Sequence, residues 1–431
     1  MTRGGSFFSL GIFMKIADFF RENNINVTDK KLLVAASSGP DSMALLDMLK
    51  NLQDNAHFKL MAAHFNHQLR ADSEEESKLL KKYCSENHVP LFIAKWPKED
   101  QPKVGIEAAA RHARYAFLTQ MAKENNADYL LTAHHGDDLL ENILLKFIRS
   151  GNPEEMNSLQ MIGKMHGIKL LRPLLGYSKA ELLQYNQEYQ IDFVIDSTNQ
   201  ADETMRNRLR HHVVPLLKKE NPALIRNALF FSQKMDELID YVDEKNSAMG
   251  QLESFLNVAY RIKSEALSQL TEKERIFFWQ RMIWQKYHRR VNENLGNFVV
   301  MEYQNYFYLY KKQNILEVRK QEINLNQPFV FRNRKMVLST ERKTDLKLIG
   351  DFWFKPDTEF SMGELVPGSK LLLQNGHHVK AKKKFAENAI PLALRPFCLA
   401  IYAENEPVFV EKIYQNQNWI KNGKHYFLYN S

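Results

Sequence analysis

Leu32-Leu33-Val34-Ala35-Ala36-Ser37-Ser38-Gly39-Pro40-Asp41-Ser42 decides how this chain is read. The first five residues form a short apolar run of the kind buried within a sheet. Ser37 to Ser42 then make a small-residue turn, and Met43, Leu45, Leu46, Leu49 and Leu52 continue as an apolar stripe at helical spacing. A strand that breaks into such a turn and enters a helix lets backbone N–H groups converge. The helix, beginning near Ser42, points its positive end at the same spot. Serine hydroxyls add donors. The expectation is a phosphate seat at Ser37, Ser38, Gly39, Pro40, Asp41 and Ser42. It is not a Walker A loop, because Gly-x-x-x-x-Gly-Lys-Ser/Thr occurs nowhere in the chain. Taken alone, the hexapeptide is explained about as well by an ordinary strand-to-helix turn.

The flanking sequence gives that turn a context. Strand-like runs at Leu32–Ala36, Lys59–Phe65, Leu91–Trp96, Tyr129–Ala133, Leu170–Leu171 and Phe193–Ile195 alternate with helical patterns. The fold class expected is α/β, a parallel sheet with helices on both faces. Ligands of such sheets bind beyond the carboxyl ends of the strands. The Ser-rich loop, His64-Phe65-Asn66-His67 and His134-His135-Gly136-Asp137-Asp138 all follow strand candidates, so they can converge on one cleft. Beyond this domain, expected at 1–220, a helical domain is read at 221–297. Its aromatic cluster Phe277, Phe278, Trp279, Met282 and Trp284 suits helix packing. A strand-rich connecting region is read at 298–355, and a small α+β C-terminal domain at 356–431.

Composition narrows the classes. A length of 431 residues suits about three domains at roughly 150 residues each. Hydrophobic content of 44% and charged content of 26% belong to a globular chain. Lys and Arg number 59 against 51 Asp and Glu, and the resulting net charge of +8 is compatible with a nucleic-acid partner. Cys84 and Cys398 make no zinc spacing and no disulfide framework, so a reducing cytoplasm is the default. The apolar stretch Phe7–Phe13 is too short to span a bilayer, and Met14 is a candidate working start. No membrane partner is expected.

Three further clusters carry candidate chemistry. In Gly105 to Tyr115, Glu107, Arg111 and Arg114 fall at i, i+4 and i+7, on one polar helix face. A salt-bridge ladder is the plain account, and a cationic face for phosphate or nucleic acid is the functional one. In Thr132 to Asn142, Asp137, Asp138 and Glu141 can share a face beside His134 and His135. Acidic residues are common at a helix start, yet Mg²⁺ held by one or two carboxylates plus substrate phosphates needs little more. A metal phosphohydrolase site is the rival. In the third cluster, Asp196-Ser197-Thr198-Asn199 precedes Arg206, Arg208 and Arg210, whose density beside a nucleotide cleft suits phosphate-backbone contact.

Ser37–Ser42, His64-Phe65-Asn66-His67-Gln68-Leu69-Arg70, Glu107–Tyr115, His135–Glu141, Arg172-Pro173-Leu174-Leu175 and Arg206-Asn207-Arg208-Leu209-Arg210-His211 occur in that order. Together they resemble the tRNA(Ile)-lysidine synthases, members of the N-type ATP pyrophosphatases or PP-loop superfamily with its adenine-nucleotide alpha-hydrolase-like fold. The likeness extends to Val379–Phe385, read as a basic helix, and Ile390-Pro391-Leu392-Ala393-Leu394-Arg395. Departures are Ser38 in place of the family's first loop glycine, Asn142 in place of a threonine, and a glycine-poor Arg149–Pro153.

The resemblance implies a ligase. ATP would adenylate the 2-oxo group of the wobble cytidine in the isoleucine tRNA with a CAU anticodon, releasing pyrophosphate. The ε-amine of free L-lysine would then displace AMP, changing codon reading from AUG to AUA. Implied roles are ATP cradle for residues 37–42 and Mg²⁺ or activation for Asp41, Asp138 and Glu141, with Asp137 beside them. Arg111 and Arg114 would stabilise phosphate charge, Glu107 would orient them or receive the lysine ammonium, and His135 is a candidate general base. Contact with tRNA is implied for Arg70, Arg206, Arg208, Arg210, Lys380, Lys382, Lys383, Lys384 and Arg395. A homodimer is left open. Rivals are a tRNA thiolase, disfavoured because Cys84 and Cys398 form no pair, and a tRNA-binding module with a decayed nucleotide site.

Overall fold

The computed structural model describes residues 16–68, 73–195, 202, 204–417 and 423–430. Arg70 and the Asp196–Asn199 segment lie outside them. The chain divides into two compact units at 241/242.

The first unit is built on a six-stranded sheet of β1 (Lys31–Ala35), β2 (Lys59–Asn66), β3 (Leu91–Lys95), β4 (Tyr129–Thr132), β5 (Ile162–Met165) and β6 (Ile168–Leu171). Its order is β3-β2-β1-β4-β6-β5, all parallel except the antiparallel edge strand β5. The strand expected at Phe193–Ile195 is not formed. That segment is irregular, and Val194 N–H instead donates to Ser38 O at 2.9 Å. The sixth strand is β5, whose Gly163 and Lys164 dilute the apolar signal that marks the buried strands.

Side chains alternate across the pleat. Leu32 and Val34 pack with Met43, Leu46 and Leu49 of α1 (Pro40–Ala56), Leu80 of α2 (Ser73–Glu86) and Leu182 of the later helix Lys179–Glu188. Leu33 faces the other way, onto Leu118 and Ala122 of α3 (Ile106–Glu124). Helices therefore cover both faces. Next come α4 (Gly136–Arg149), the short helix α5 (Pro153–Met156) and α6 (Lys179–Glu188). A continuous helical stretch follows, made of α7 (Met205–Arg208), a π-helical turn over Leu209–Val213 and α8 (Val214–Glu220). Pro215 has no N–H to give to an i−4 carbonyl, and the wider turn accommodates it.

One buried polar knot ties these layers together. Asp47 on α1 accepts from Tyr83 of α2 at 2.9 Å, from Tyr185 of α6 at 2.8 Å and from Asn51 at 2.8 Å. Burial, with the carboxylate of Asp47 next, pushes both phenols far above their ordinary value, so they remain donors.

The long helix α9 (Leu224–Ala248) contains the 241/242 division, which therefore lies beyond the break expected at 220/221. The second unit is strand-rich. β7 (Glu253–Phe255), β8 (Ala259–Lys263), β9 (Phe298–Tyr303) and β10 (Tyr306–Lys311) form one antiparallel sheet. Phe278, Trp279, Met282 and Ile283 of α10 (Glu272–Tyr287) pack on Ile262 and Leu309, so the aromatic cluster is core. Because β8 pairs with β10, the expected break at 297/298 cuts through a sheet, and 221–297 is not purely helical.

Two further sheets share one core. The first is ordered β11 (Gln321–Ile323), β15 (Phe360–Glu364), β18 (Leu399–Ala403), β19 (Glu406–Val410) and β20 (Tyr414–Gln415). The second is ordered β12 (Pro328–Phe331), β13 (Arg334–Ser339), β21 (Lys424–Asn430) and β14 (Lys347–Phe354). Phe331, Leu338, Phe352 and Leu428 meet Met362, Ile401 and Phe409 between them. Gly350, at a bulge in β14, lies so close to the Phe409 ring that a Cβ would approach it to 2.5 Å. The break expected at 355/356 separates β14 from its partner β21, so it too falls inside a sheet. The hairpin β16 (Lys370–Leu372) and β17 (His378–Lys380) precedes α11 (Ala381–Glu387). The basic helix thus begins at Ala381 rather than Val379, and Lys380 ends a strand.

Candidate active site

A cleft of about 860 Å³ opens beyond the carboxyl ends of β1, β2 and β4. The strand order reverses between β1 and β4, which is where open α/β sheets bind ligands. One wall is the Ser37–Ser42 loop. Ser42 Oγ receives the Ser37 N–H at 3.1 Å, lies 3.2 Å from Ser37 Oγ and donates to Gly39 O at 3.0 Å, closing the turn on itself. Ser38 takes φ +60°, the conformation that favours glycine, at a cost of about 1–2 kcal/mol. Its buried hydroxyl donates to Glu76 O at 2.6 Å and its carbonyl accepts from Val194, so neighbours hold the strained residue in place. The helix starts at Pro40, with proline at its first position as favoured there.

The opposite wall is the start of α4. Gly136 N–H donates to Tyr177 O at 2.8 Å. A Cβ on Gly136 would collide with Ile225 and stand 3.0 Å from the carbonyls of Leu175 and Tyr177. The Arg172-Pro173-Leu174-Leu175 motif forms the turn underneath, with Leu174 and Leu175 fully buried. Close packing there brings Asp137 Oδ2 within 2.8 Å of the Lys179 backbone N–H.

Asp41, Asp137, Asp138 and Glu141 each meet a cation in the cleft. Asp41 holds Lys179 Nζ at 2.7 Å to both oxygens, and Asp137 pairs with Lys218. Glu141, only 1% exposed, accepts from Arg206 Nε at 3.2 Å and from Arg210 Nε and Nη2 at 2.7 and 2.9 Å. Arg210 Nη2 also reaches Asp138 Oδ1 at 3.2 Å. Such forked pairing is what guanidinium favours over ammonium. His135 stands among the acids, its Nε2 3.5 Å from Asp138 and 3.7 Å from Asp41, its Nδ1 3.8 Å from Asp137. Burial alone would raise the Asp138 carboxyl, but its interaction with the neighbouring imidazoles of His135 and His134, the charge of Arg206 and the His135 backbone N–H leave it below the ordinary value. Burial drives His134 down to about 4, against Asp138 and with Arg172, Arg114 and Arg206, so it is neutral.

The structure therefore brings together Ser37, Gly39, Pro40, Asp41, Ser42, Arg114, His135, Asp137, Asp138, Glu141 and Arg210 around the cleft, while Ser38 is fully buried and does not line it. Glu107 and Arg111 lie on the exposed face of α3, outside its lining. Arg206 and Arg210, expected on tRNA phosphates, are instead engaged with Asp138 and Glu141 because those buried carboxylates need partners. Arg208 is exposed. In the second unit Lys380, Lys382 and Lys383 are exposed, and Lys384 pairs with Glu387 at 2.8 Å. Arg395 lies over the Phe385 ring with Nε 3.3 Å from Ile390 O, which holds the turn after α11. Lys179 and Lys218 were not foreseen. The signal for Lys179 was Ser178-x-x-Glu181, a capping box that places Lys179 in the first turn of α6.

Cys84 and Cys398 are buried and neither lines the cleft, and burial raises the Cys84 thiol to about 11 and the Cys398 thiol further. Among the described residues no group of three or more His, Cys, Asp and Glu is arranged to hold a metal by itself, and no helix is long and apolar enough to cross a membrane.

Residues 12–217 match the family model of the PP-loop domain. The chain is 45% identical over 428 residues to the tRNA(Ile)-lysidine synthase of Lactobacillus johnsonii, spanning 96% of this chain and 99% of that one. It is 43% identical over 430 residues to the tRNA(Ile)-lysidine synthase of Lactobacillus gasseri, with the same shares. With the tRNA(Ile)-lysidine synthase of Lactiplantibacillus plantarum it shares 37% identity over 208 residues, 48% of this chain and 46% of that one.

Proposed function

Because the chain belongs to the tRNA(Ile)-lysidine synthase family, we propose that it uses ATP to join free L-lysine to the wobble cytidine of the isoleucine tRNA with a CAU anticodon. The observation that supports this best is the meeting of a phosphate-shaped loop and an acidic cluster in one cleft. The chemistry needs both, a seat for pyrophosphate and a seat for an ammonium ion.

In the first step the cytosine 2-oxo oxygen attacks the α-phosphorus, and the bond to the departing pyrophosphate breaks. Backbone N–H groups of the Ser37–Ser42 loop and the Ser37 hydroxyl would hold the triphosphate, with Lys179 and Arg114 offsetting its charge. Oxygen donors at Asp41, Asp137 and Asp138 suit Mg²⁺ bound through one or two carboxylates and the phosphates, and the ion would neutralise charge on the leaving group. In the second step lysine nitrogen attacks C2, the C2–O bond breaks and AMP leaves. Asp138 would attract the incoming ammonium, and His135 is placed to take its proton. The pairing of Asp41 and Asp137 with the side-chain ammonium groups of Lys179 and Lys218 supports this reading. Arg208, Lys380, Lys382 and Lys383 are the exposed cations we assign to the tRNA backbone.

The experiment is incorporation of labelled lysine into an unmodified transcript of that tRNA with ATP and Mg²⁺. Incorporation that vanishes when the wobble cytidine is replaced supports the reading. ATP cleavage to AMP without incorporation would move the assignment to another acceptor.

A further inference from the structure

His64 is an unused polar group inside the cleft. It lies near the carboxyl end of β2, it is 1% exposed, and it lines the cavity. Nδ1 lies 3.0 Å from the carbonyl oxygen of Ala36, which can only accept, so Nδ1 carries the hydrogen. Nε2 is then a bare acceptor, and it has no hydrogen-bond partner among the described residues. A buried acceptor without a donor costs about 1–3 kcal/mol, which a bound ligand can recover. Burial also lowers the imidazole's pKa against the effect of the Ala36 bond, so the ring is held neutral.

The sheet order says which part of the ligand Nε2 meets. The phosphate loop follows β1. The acidic cluster follows β4 on one side of it, while β2 lies on the other. Phosphate would set an anion against a lone pair, and an ammonium has its carboxylates across the loop. The cleft lining also includes Ala35, Ala63, Phe65, Tyr115 and Leu118, apolar surface suited to a purine face.

We propose that His64 Nε2 accepts a hydrogen bond from the 6-amino group of adenine and makes the cleft selective for ATP over 6-oxo and 6-unsubstituted purine nucleotides. A 6-oxo purine would face acceptor with acceptor. Moving the hydrogen to Nε2 to correct this would give up the bond to Ala36, and protonation is opposed by burial. The inference rests on ATP being the nucleotide of this cleft.

The test compares kcat/KM for pyrophosphate release from ATP, purine riboside 5′-triphosphate and 2′-deoxy-ATP, in the wild-type protein and in His64→Ala and His64→Gln. In the wild type, removing the 6-amino group should cost about ten- to a hundred-fold, the scale of leaving a buried partner unpaired. In His64→Ala the preference between ATP and the purine analogue should shrink to within about three-fold, while the 2′-deoxy ratio stays as in the wild type. Because His64 is buried, a measurement on the wild type accompanies the variants: the ¹⁵N resonance of Nε2 should move on binding ATP and not on binding the purine analogue. Equal use of both nucleotides by the wild type overturns the proposal, as does a variant that still discriminates. Loss of the 2′-deoxy preference instead would assign Nε2 to the ribose and overturn it too. A wild-type protein that releases no pyrophosphate from ATP would overturn the reading beneath it.

Discussion

Arg210 and Lys383 look alike in the sequence, each a cation in a basic run, yet the structure gives them opposite surroundings. Arg210 lies in the cleft of the first unit with its fork closed on Glu141 and Asp138. Lys383 stands exposed on α11 in the second unit. The difference is set by what lies nearby: a buried carboxylate claims the cation that can reach it, because leaving it alone costs several kcal/mol. A cation on an open helix keeps its charge for a partner that arrives later. Basic residues are thus sorted by their neighbours more than by their own type.

The strongest way to break this contrast is at the loop. Asp41→Asn should lower single-turnover adenylation about a hundred-fold or more while tRNA binding stays within about two-fold. An unchanged rate would remove Asp41 from the chemistry. Next, Arg210→Ala should strand Glu141 and cost about 3–5 kcal/mol in urea unfolding. A loss under about 1 kcal/mol would mean that Arg206 suffices and that the pairing is not obligatory. On the other side of the comparison, Lys382→Glu with Lys383→Glu should leave stability nearly unchanged but weaken tRNA binding about ten-fold. It should also flatten the slope of log affinity against log salt by about 1–2. An identical slope would show that α11 touches no phosphate. Lys384→Glu should add less, since Glu387 already engages it.

The smallest effect uses pH. His64 is held neutral by burial, so its folded pKa lies below the unfolded value of about 6.5. The unfolded chain then binds the extra proton, and stability rises with pH through the window below 6.5 and falls as the solution is acidified. One such site contributes at most about 1.4 kcal/mol per pH unit. The urea midpoint should drop between pH 7 and pH 5.5 in the wild type, and less so in His64→Gln. Parallel curves would show that His64 is not the group responsible.

The sheet of the first unit was legible because fully buried parallel strands write themselves as unbroken apolar runs, as at Leu32–Ala36 and Tyr129–Ala133. Edge strand β5 was not, since pairing on one side tolerates Gly163 and Lys164. Phe193–Ile195 carried the composition of a strand but serves to hold the Ser38 carbonyl. In the second unit the strands at Phe298, Phe307 and Phe329 were readable one by one. Which strands paired was not, because β14 meets β21 across a long stretch of chain. The same distance hid Lys179 and Lys218, whose carboxylate partners lie 138 and 81 residues away.

The π turn at Leu209–Val213 has a consequence for rotational phase. Eight residues of uninterrupted α-helix advance about 800°, which would leave Lys218 roughly 80° around from Arg210. A π turn absorbs one residue, so the advance is closer to 700° and the two side chains fall within about 20° of one another. That alignment lets one helical rod present Arg210 to Glu141 and Lys218 to Asp137. Loss or gain of a single codon within the turn would swing Lys218 by about 100° and leave Asp137 facing a different side chain.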